Sequence, residues 1–176
     1  MINLLRSRRS VRRYEKRAIE EQHLEMLKEA LLRCPSSRGF NSWTFIFVDD
    51  PELLIALSKA KEHGSSFLAG AGLGIVVCGD ETKSDVWVED CSIASVVAHL
   101  TAHFLGLGSC WIQIRNRSHS QEKMAEKYIQ ELLGIPHHMK VEAIISIGYP
   151  AENPPPIGRE KLDFGKIMRN GFASQP

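Results

Sequence analysis

Residues 6–17 hold seven arginines and lysines (Arg6, Arg8, Arg9, Arg12, Arg13, Lys16, Arg17) against one acid, Glu15. Guanidinium groups present a forked set of donors suited to phosphate oxygens, and Ser10 adds a neutral hydroxyl donor among them. Three uses are open to such a run: a solvated cationic helix, a nucleic-acid arm, or an anion site for a phosphate-bearing ligand. One serine among arginines fits a single phosphate better than a long polyanion. The whole chain points the same way. Its 22 Lys and Arg meet 21 Asp and Glu, for a formal net charge of +1, whereas a dedicated nucleic-acid binder needs excess basic charge.

Other chemistry-bearing patterns are weaker. His99 and His103 stand one helical turn apart, yet no glutamate lies between them and no third ligand stands out, so no metal site is assigned. His137 and His138 follow a helix end and read as loop residues. Gly70-Ala71-Gly72-Leu73-Gly74 precedes a strand, whereas a dinucleotide fingerprint requires strand, then glycines, then helix. The sequon Asn116-Arg117-Ser118 has no support from any secretory feature. The four cysteines (Cys34, Cys78, Cys91, Cys110) are far apart and lie in or beside apolar segments, as free buried thiols do.

The elements that position these residues follow from periodicity. Glu20 to Arg33 reads as a helix with Leu24, Leu27 and Leu31 on one face, ended by Cys34-Pro35-Ser36-Ser37-Arg38-Gly39. Trp43 to Val48 is a strand stopped by Asp49-Asp50-Pro51, and Pro51 opens a second helix running to about His63. Leu73 to Cys78 is a buried strand. Val88 to Leu105 is the longest helix, with an apolar stripe of Ile93, Val97, Leu100 and Phe104 widened by Ala94 and Thr101. Cys110 to Ile114 is extended, Gln121 to Leu133 is a helix ended by Gly134, and Val141 to Ile147 is the last strand. Helices mixed with about four strands, without strict βαβ alternation, predict an α+β domain.

At 176 residues and 43% hydrophobic content the chain predicts one globular domain, 1–176. No apolar run approaches the ~20 residues of a membrane span, and no signal-peptide core follows the early basic cluster. A reduced, cytoplasmic protein without nucleic-acid or membrane partners is expected.

Five segments, taken together and in order, resemble the FMN-dependent nitroreductase family. They are Arg8-Arg9-Ser10-Val11-Arg12-Arg13-Tyr14; Leu31 through Trp43; Asp90 to Ala94 with the exit Gly106-Leu107-Gly108-Ser109-Cys110-Trp111-Ile112; Leu133 to Pro136; and Ile145 to Pro150. The resemblance covers nearly the whole chain. It implies an α+β fold with helices flanking a mostly antiparallel, mixed sheet, and an intertwined homodimer with FMN at the subunit interface. It also implies ping-pong transfer of two electrons from NAD(P)H to an electron-poor acceptor such as a nitroaromatic or a quinone. Another flavin chemistry, or a sensing role with little NAD(P)H turnover, is the alternative.

Carried over by position, the resemblance gives Arg8 and Ser10 to the FMN phosphate, with Arg9 beside them and Arg159 completing the clamp. Arg12 would face the N1–O2 edge, where negative charge collects on reduction. Pro35, Ser36, Ser37 and Asn41 would come from the partner subunit, and the backbone N–H of Gln113 would meet flavin N5. No catalytic side chain is expected, because the cofactor carries the chemistry. The chain departs from the family at Gly39, where many members have Asn, and at Gln113-Ile114, where small glycines are common.

Overall fold

The computed structural model describes residues 1–172; the last four residues of the expected domain lie outside it. Its elements are α1 (Ile2–Ser7), α2 (Glu21–Leu32), β1 (Trp43–Val48), α3 (Pro51–Ser58), β2 (Leu73–Asp80), α4 (Trp87–Phe104), β3 (Gly108–Gln113), α5 (Ala125–Leu133) and β4 (Met139–Gly148). The four strands form one sheet in the order β1-β2-β4-β3, and every pairing of neighbours is antiparallel. The one parallel pairing among the described residues is an isolated bridge, Ser10 to Ser109, beside the edge strand β3.

Both central strands are buried along their length, as a sheet covered on both faces requires. One face, with Leu73, Ile75, Val77, Ile145 and Ile147, packs against Leu27 and Leu31 of α2 and Ala94, Ala98 and Ala102 of α4. The other, with Val76, Cys78, Ile112 and Ile144, packs against Leu54 and Leu57 of α3 and Ala125 and Ile129 of α5. All four cysteines are free and buried. The expected α+β architecture is the observed one.

Several elements differ from their expected form for identifiable reasons. The buried stripe of α4 is Cys91, Ala94, Ser95, Ala98 and Ala102, whereas Ile93, Val96 and Phe104 are 43%, 52% and 66% exposed. Small side chains let this helix lie close to the sheet; Trp87 and Val97 pack at the margin of the core, and Ile93, Val96 and Phe104 point away. The helix expected from Pro51 to His63 stops at Ser58, although its start is as read: Asp50 accepts the N–H groups of Glu52 and Leu53, with Pro51 in the first turn. Residues 121–124 lie outside α5, because a Ser118–Met124 bridge holds them in a turn. Gly134 closes α5 in the left-handed conformation. Finally, the cationic stretch is not one helix: α1 ends at Ser7, and Arg8 is already extended.

Among the described residues, no helix is long and apolar enough to cross a membrane.

Candidate functional site

Residues 8–14 pass from the start of β3, at Ser109, to the chain leaving β4, at Pro150. Val11 donates its N–H to the Ser109 carbonyl at 3.0 Å, beside the Ser10–Ser109 bridge. Gly108 makes this approach possible, since a Cβ there would stand 2.7 Å from Val11 Cγ1. Tyr14 anchors the far end: its hydroxyl donates to the Val11 carbonyl at 2.6 Å and lies 2.7 Å from Ser146 Oγ, and burial pushes its phenol pKa up. On the outer side, the chain leaving β4 runs antiparallel to the segment. Glu15 N–H donates to Tyr149 O and Ala151 N–H to Arg13 O, both at 2.9 Å, and the Arg9 guanidinium donates to Pro155 O.

A pocket of about 150 Å³ opens here, with Ser7, Arg8, Arg9, His103, Ser109 and Asn153 in its wall. Among the described residues, Arg8, Arg9 and Arg12 have no carboxylate within ion-pair distance. Arg12 is exposed, with its guanidinium carbon 5.8 Å from the Phe67 ring centroid. Arg8 and Arg9 line the pocket, together with the carboxylate of Glu152, whereas Ser10 and Arg12 are not in its wall. Guanidiniums free of ion pairs at a pocket are donors suited to an anion.

The edge of β3 continues this surface. Ser109 uses its carbonyl outward, toward Val11, while Ile114 sends its N–H inward to Glu142 O at 3.2 Å. Alternation of backbone direction along an edge strand therefore turns the N–H groups of Trp111 and Gln113 outward. The Gln113 side chain is engaged within the protein, accepting from Trp111 Nε1 at 2.9 Å and donating to Arg115 O at 3.0 Å. Only its backbone is offered to a ligand.

His99 supports the segment from α4. Its Nδ1 lies 2.7 Å from Ser109 Oγ, and its ring stacks on Trp111. Burial, aided by the positive charge of Arg8, pushes its pKa down to about 4. The imidazole is thus neutral in the fold, while the unfolded chain takes up a proton below its ordinary value of ~6.5. Between those values the unfolded state binds more protons, so stability falls as pH falls from ~6.5 to ~4, by roughly 3 kcal/mol in full. Urea unfolding at pH 7 and pH 4.5 should show this loss in the wild type and not in His99→Gln. His103 has a different partner, Ser7 Oγ at 2.7 Å from Nε2. The described residues contain no group of three potential metal ligands.

The other half of the expected site is elsewhere. In the loop from α2 to β1, the Ser36 hydroxyl accepts the Asn41 N–H at 2.9 Å and donates to Asn41 Oδ1 at 2.8 Å. Asp90, buried in the first turn of α4, accepts the Ser37 N–H at 2.8 Å and the Ser42 hydroxyl at 3.3 Å. Arg38 and Asn41 have positive φ, 51° and 49°, conformations that a rigid turn must impose. Pro35 precedes the turn and is exposed. This loop leads into Trp43 at one edge of the sheet, whereas Ser109 is on β3 at the other edge and toward the opposite strand end. Strand spacing puts the two corners about 20 Å apart. One chain does not bring Pro35, Ser36, Ser37 and Asn41 to Arg8, Arg9, Ser10 and Arg12.

Arg159 is also apart, in a short 3-10 turn, with its guanidinium 5.0 Å from the Phe164 ring centroid. It belongs to a C-terminal arm whose Ile157, Leu162, Phe164, Ile167, Met168 and Phe172 are 43% to 90% exposed.

Three residues at the site escaped the reading of the sequence. Asp90 is 53 and 48 residues from Ser37 and Ser42, and His99 is 10 from Ser109; the sequence offers Asp90 only as the start of a resembling segment and His99 only as half of a histidine pair. Glu152 donates no motif; it is a lone acid in a proline run opposite a basic one.

The chain matches the model of the nitroreductase family over residues 5–63 and 55–149. An Archaeoglobus fulgidus protein provisionally named NADH dehydrogenase/NAD(P)H nitroreductase is 37% identical over 175 residues, covering 91% of this chain and 97% of the relative. A similarly named protein of Methanothermobacter thermautotrophicus is 34% identical, covering 88% and 79%. Among solved structures, an FMN-dependent nitroreductase from Clostridium difficile R20291 superposes with a TM-score of 0.96 at 46% identity, over 98% of this chain and 100% of that one. The chain belongs to the nitroreductase family.

Proposed function

We propose that the protein is a homodimeric, FMN-dependent oxidoreductase that takes two electrons from NAD(P)H and passes them, in a ping-pong cycle, to an electron-poor acceptor such as a nitroaromatic or a quinone. The observation that carries this reading is the strip formed by Arg8 to Arg12 and the outward edge of β3. It offers phosphate donors at one end and outward backbone amides at the other; the one carboxylate in the pocket wall, Glu152, is held by backbone N–H groups and forms no ion pair with the arginines. When bound, FMN supplies the hydride chemistry.

The chain's own residues bind and orient. Arg8, Arg9 and Ser10 hold the phosphate, Arg12 stabilises negative charge at the ring edge, and the Gln113 N–H addresses the ring atom that exchanges hydride. Pro35, Ser36, Ser37 and Asn41 are supplied by a second copy, and Arg159 reaches the phosphate on the C-terminal arm. Two features support that assembly: the loop's distance from the arginine segment, and the apolar residues left uncovered on α4 and the arm.

The test is an absorbance spectrum of the purified protein followed by anaerobic addition of NADH and then NADPH. Flavin bands near ~450 nm that bleach with either nucleotide are expected. Bands that persist would move the function to another flavin chemistry or to sensing. A colourless protein that takes up no added FMN would remove the reading altogether.

A further inference from the structure

Glu152 stands inside the cationic segment and pairs with none of its guanidiniums. Its Oε1 instead accepts the backbone N–H of Arg12 at 2.6 Å and that of Arg13 at 3.2 Å. Two consecutive amides thus converge on one carboxylate oxygen, and the anion they hold is the protein's own. Glu152 also lines the pocket together with Arg8 and Arg9. It is half-buried, and the residues on either side of it are tied down, through Ala151 N–H to Arg13 O and Pro155 O to Arg9. The side chain therefore has little freedom to leave.

Two consequences follow from this placement. The first is positional. With its N–H held by Glu152, Arg12 leaves the backbone in a fixed direction, and its guanidinium stays on the Phe67 side rather than folding back onto the carboxylate. The second is electrostatic. One negative charge is built permanently among Arg8, Arg9, Arg12 and Arg13, in a region partly screened from water where charges act over longer range.

We propose that Glu152 is a positioning residue of the flavin site, which fixes the backbone that carries Arg12 and holds the redox potential of bound FMN below the value the arginines alone would set. This rests on the FMN reading above. Reduction adds negative charge to the ring edge; the arginines favour it, and a fixed carboxylate opposes it. The opposing term makes the bound cofactor a stronger reductant toward its acceptor.

The experiment compares wild type, Glu152→Gln and Glu152→Asp, each titrated with FMN by fluorescence and then by spectroelectrochemistry. Gln keeps an acceptor oxygen and removes the charge. It should bind oxidised FMN more tightly than wild type, because a negative charge beside the phosphate donors is gone, and should favour the reduced form about tenfold more again, an upward shift of ~30 mV for a two-electron couple. Asp keeps the charge but withdraws it by one methylene from the amides. It should keep the wild-type potential and bind FMN about tenfold more weakly.

A potential in Glu152→Gln equal to wild type, with FMN bound in both, overturns the proposal alone. If Glu152→Gln does not fold, Glu152→Asp decides, and wild-type FMN affinity in that variant overturns it. A wild-type protein that takes up no FMN overturns the FMN reading and this proposal with it.

Discussion

A mixture of Arg8→Glu and Asn41→Asp proteins, left to exchange subunits, should recover about a quarter of wild-type NAD(P)H:quinone turnover per subunit. Alone, Arg8→Glu should be slowed roughly a hundredfold, because a charge-assisted phosphate contact becomes a repulsion. Asn41→Asp, which puts a carboxylate where the reduced ring carries negative charge, should be slowed about tenfold. In a two-fold dimer with shared sites, each mixed dimer holds one site with both lesions and one with neither. Random exchange makes half of the dimers mixed, so a quarter of all sites are intact.

The arithmetic applies only if Arg8 and Asn41 serve the same site from different subunits. Within one chain they occupy opposite corners of the sheet, with the length of β3 and the width of four strands between them. Turnover that stays at the mean of the two parents would return both residues to one subunit and remove the shared-site reading.

How much of this was legible in the sequence depends on where each signal is stored. Trp43 to Val48 was read to the residue, because an aromatic, β-branched run ends in the Asp50-Pro51 cap that opens α3. Leu27 and Leu31 were placed correctly on the buried face of α2. The face of α4 was read only in part, Ala94 and Val97 lying in or against the core while Ile93 and Phe104 do not, for a physical reason. Hydrophobic periodicity assumes that the largest apolar residues are inside, but α4 lies so close to the sheet that only Cys91, Ala94, Ser95, Ala98 and Ala102 fit beneath it. Ile93, Val96 and Phe104 form a second apolar face, which a monomer leaves in water.

The arginine segment was legible as a cationic cluster but not as an extended stretch bridged to Ser109 and Pro150. What holds it extended is long-range: Ser109, Tyr149 and Glu152 supply its hydrogen bonds. The residues expected to touch the cofactor were readable as a motif, whereas of those that hold their neighbours in place His99 and Glu152 belong to no motif and Asp90 opens one that gives it no role.

Asp90→Ala should cost about 3 kcal/mol of stability and weaken FMN binding about tenfold, although Asp90 lies some twenty ångströms from the arginine segment of its own chain. The carboxylate is 3% exposed and accepts from Ser37 N–H and Ser42 Oγ, so truncation leaves two donors without a partner at a buried site. It also removes a negative charge from the first turn of α4, where the helix dipole favours one. Asp90→Asn keeps an acceptor oxygen for Ser37 and should recover most of the stability. Urea unfolding at one fixed protein concentration checks this, since the stability of a dimer depends on that concentration. The flavin effect is expected because Asp90 holds the turn that carries Ser36, Ser37 and Asn41, and in the proposed shared site that turn serves the partner's cofactor. Loss of stability without loss of FMN affinity would leave the loop a structural element of its own subunit and detach it from the cofactor.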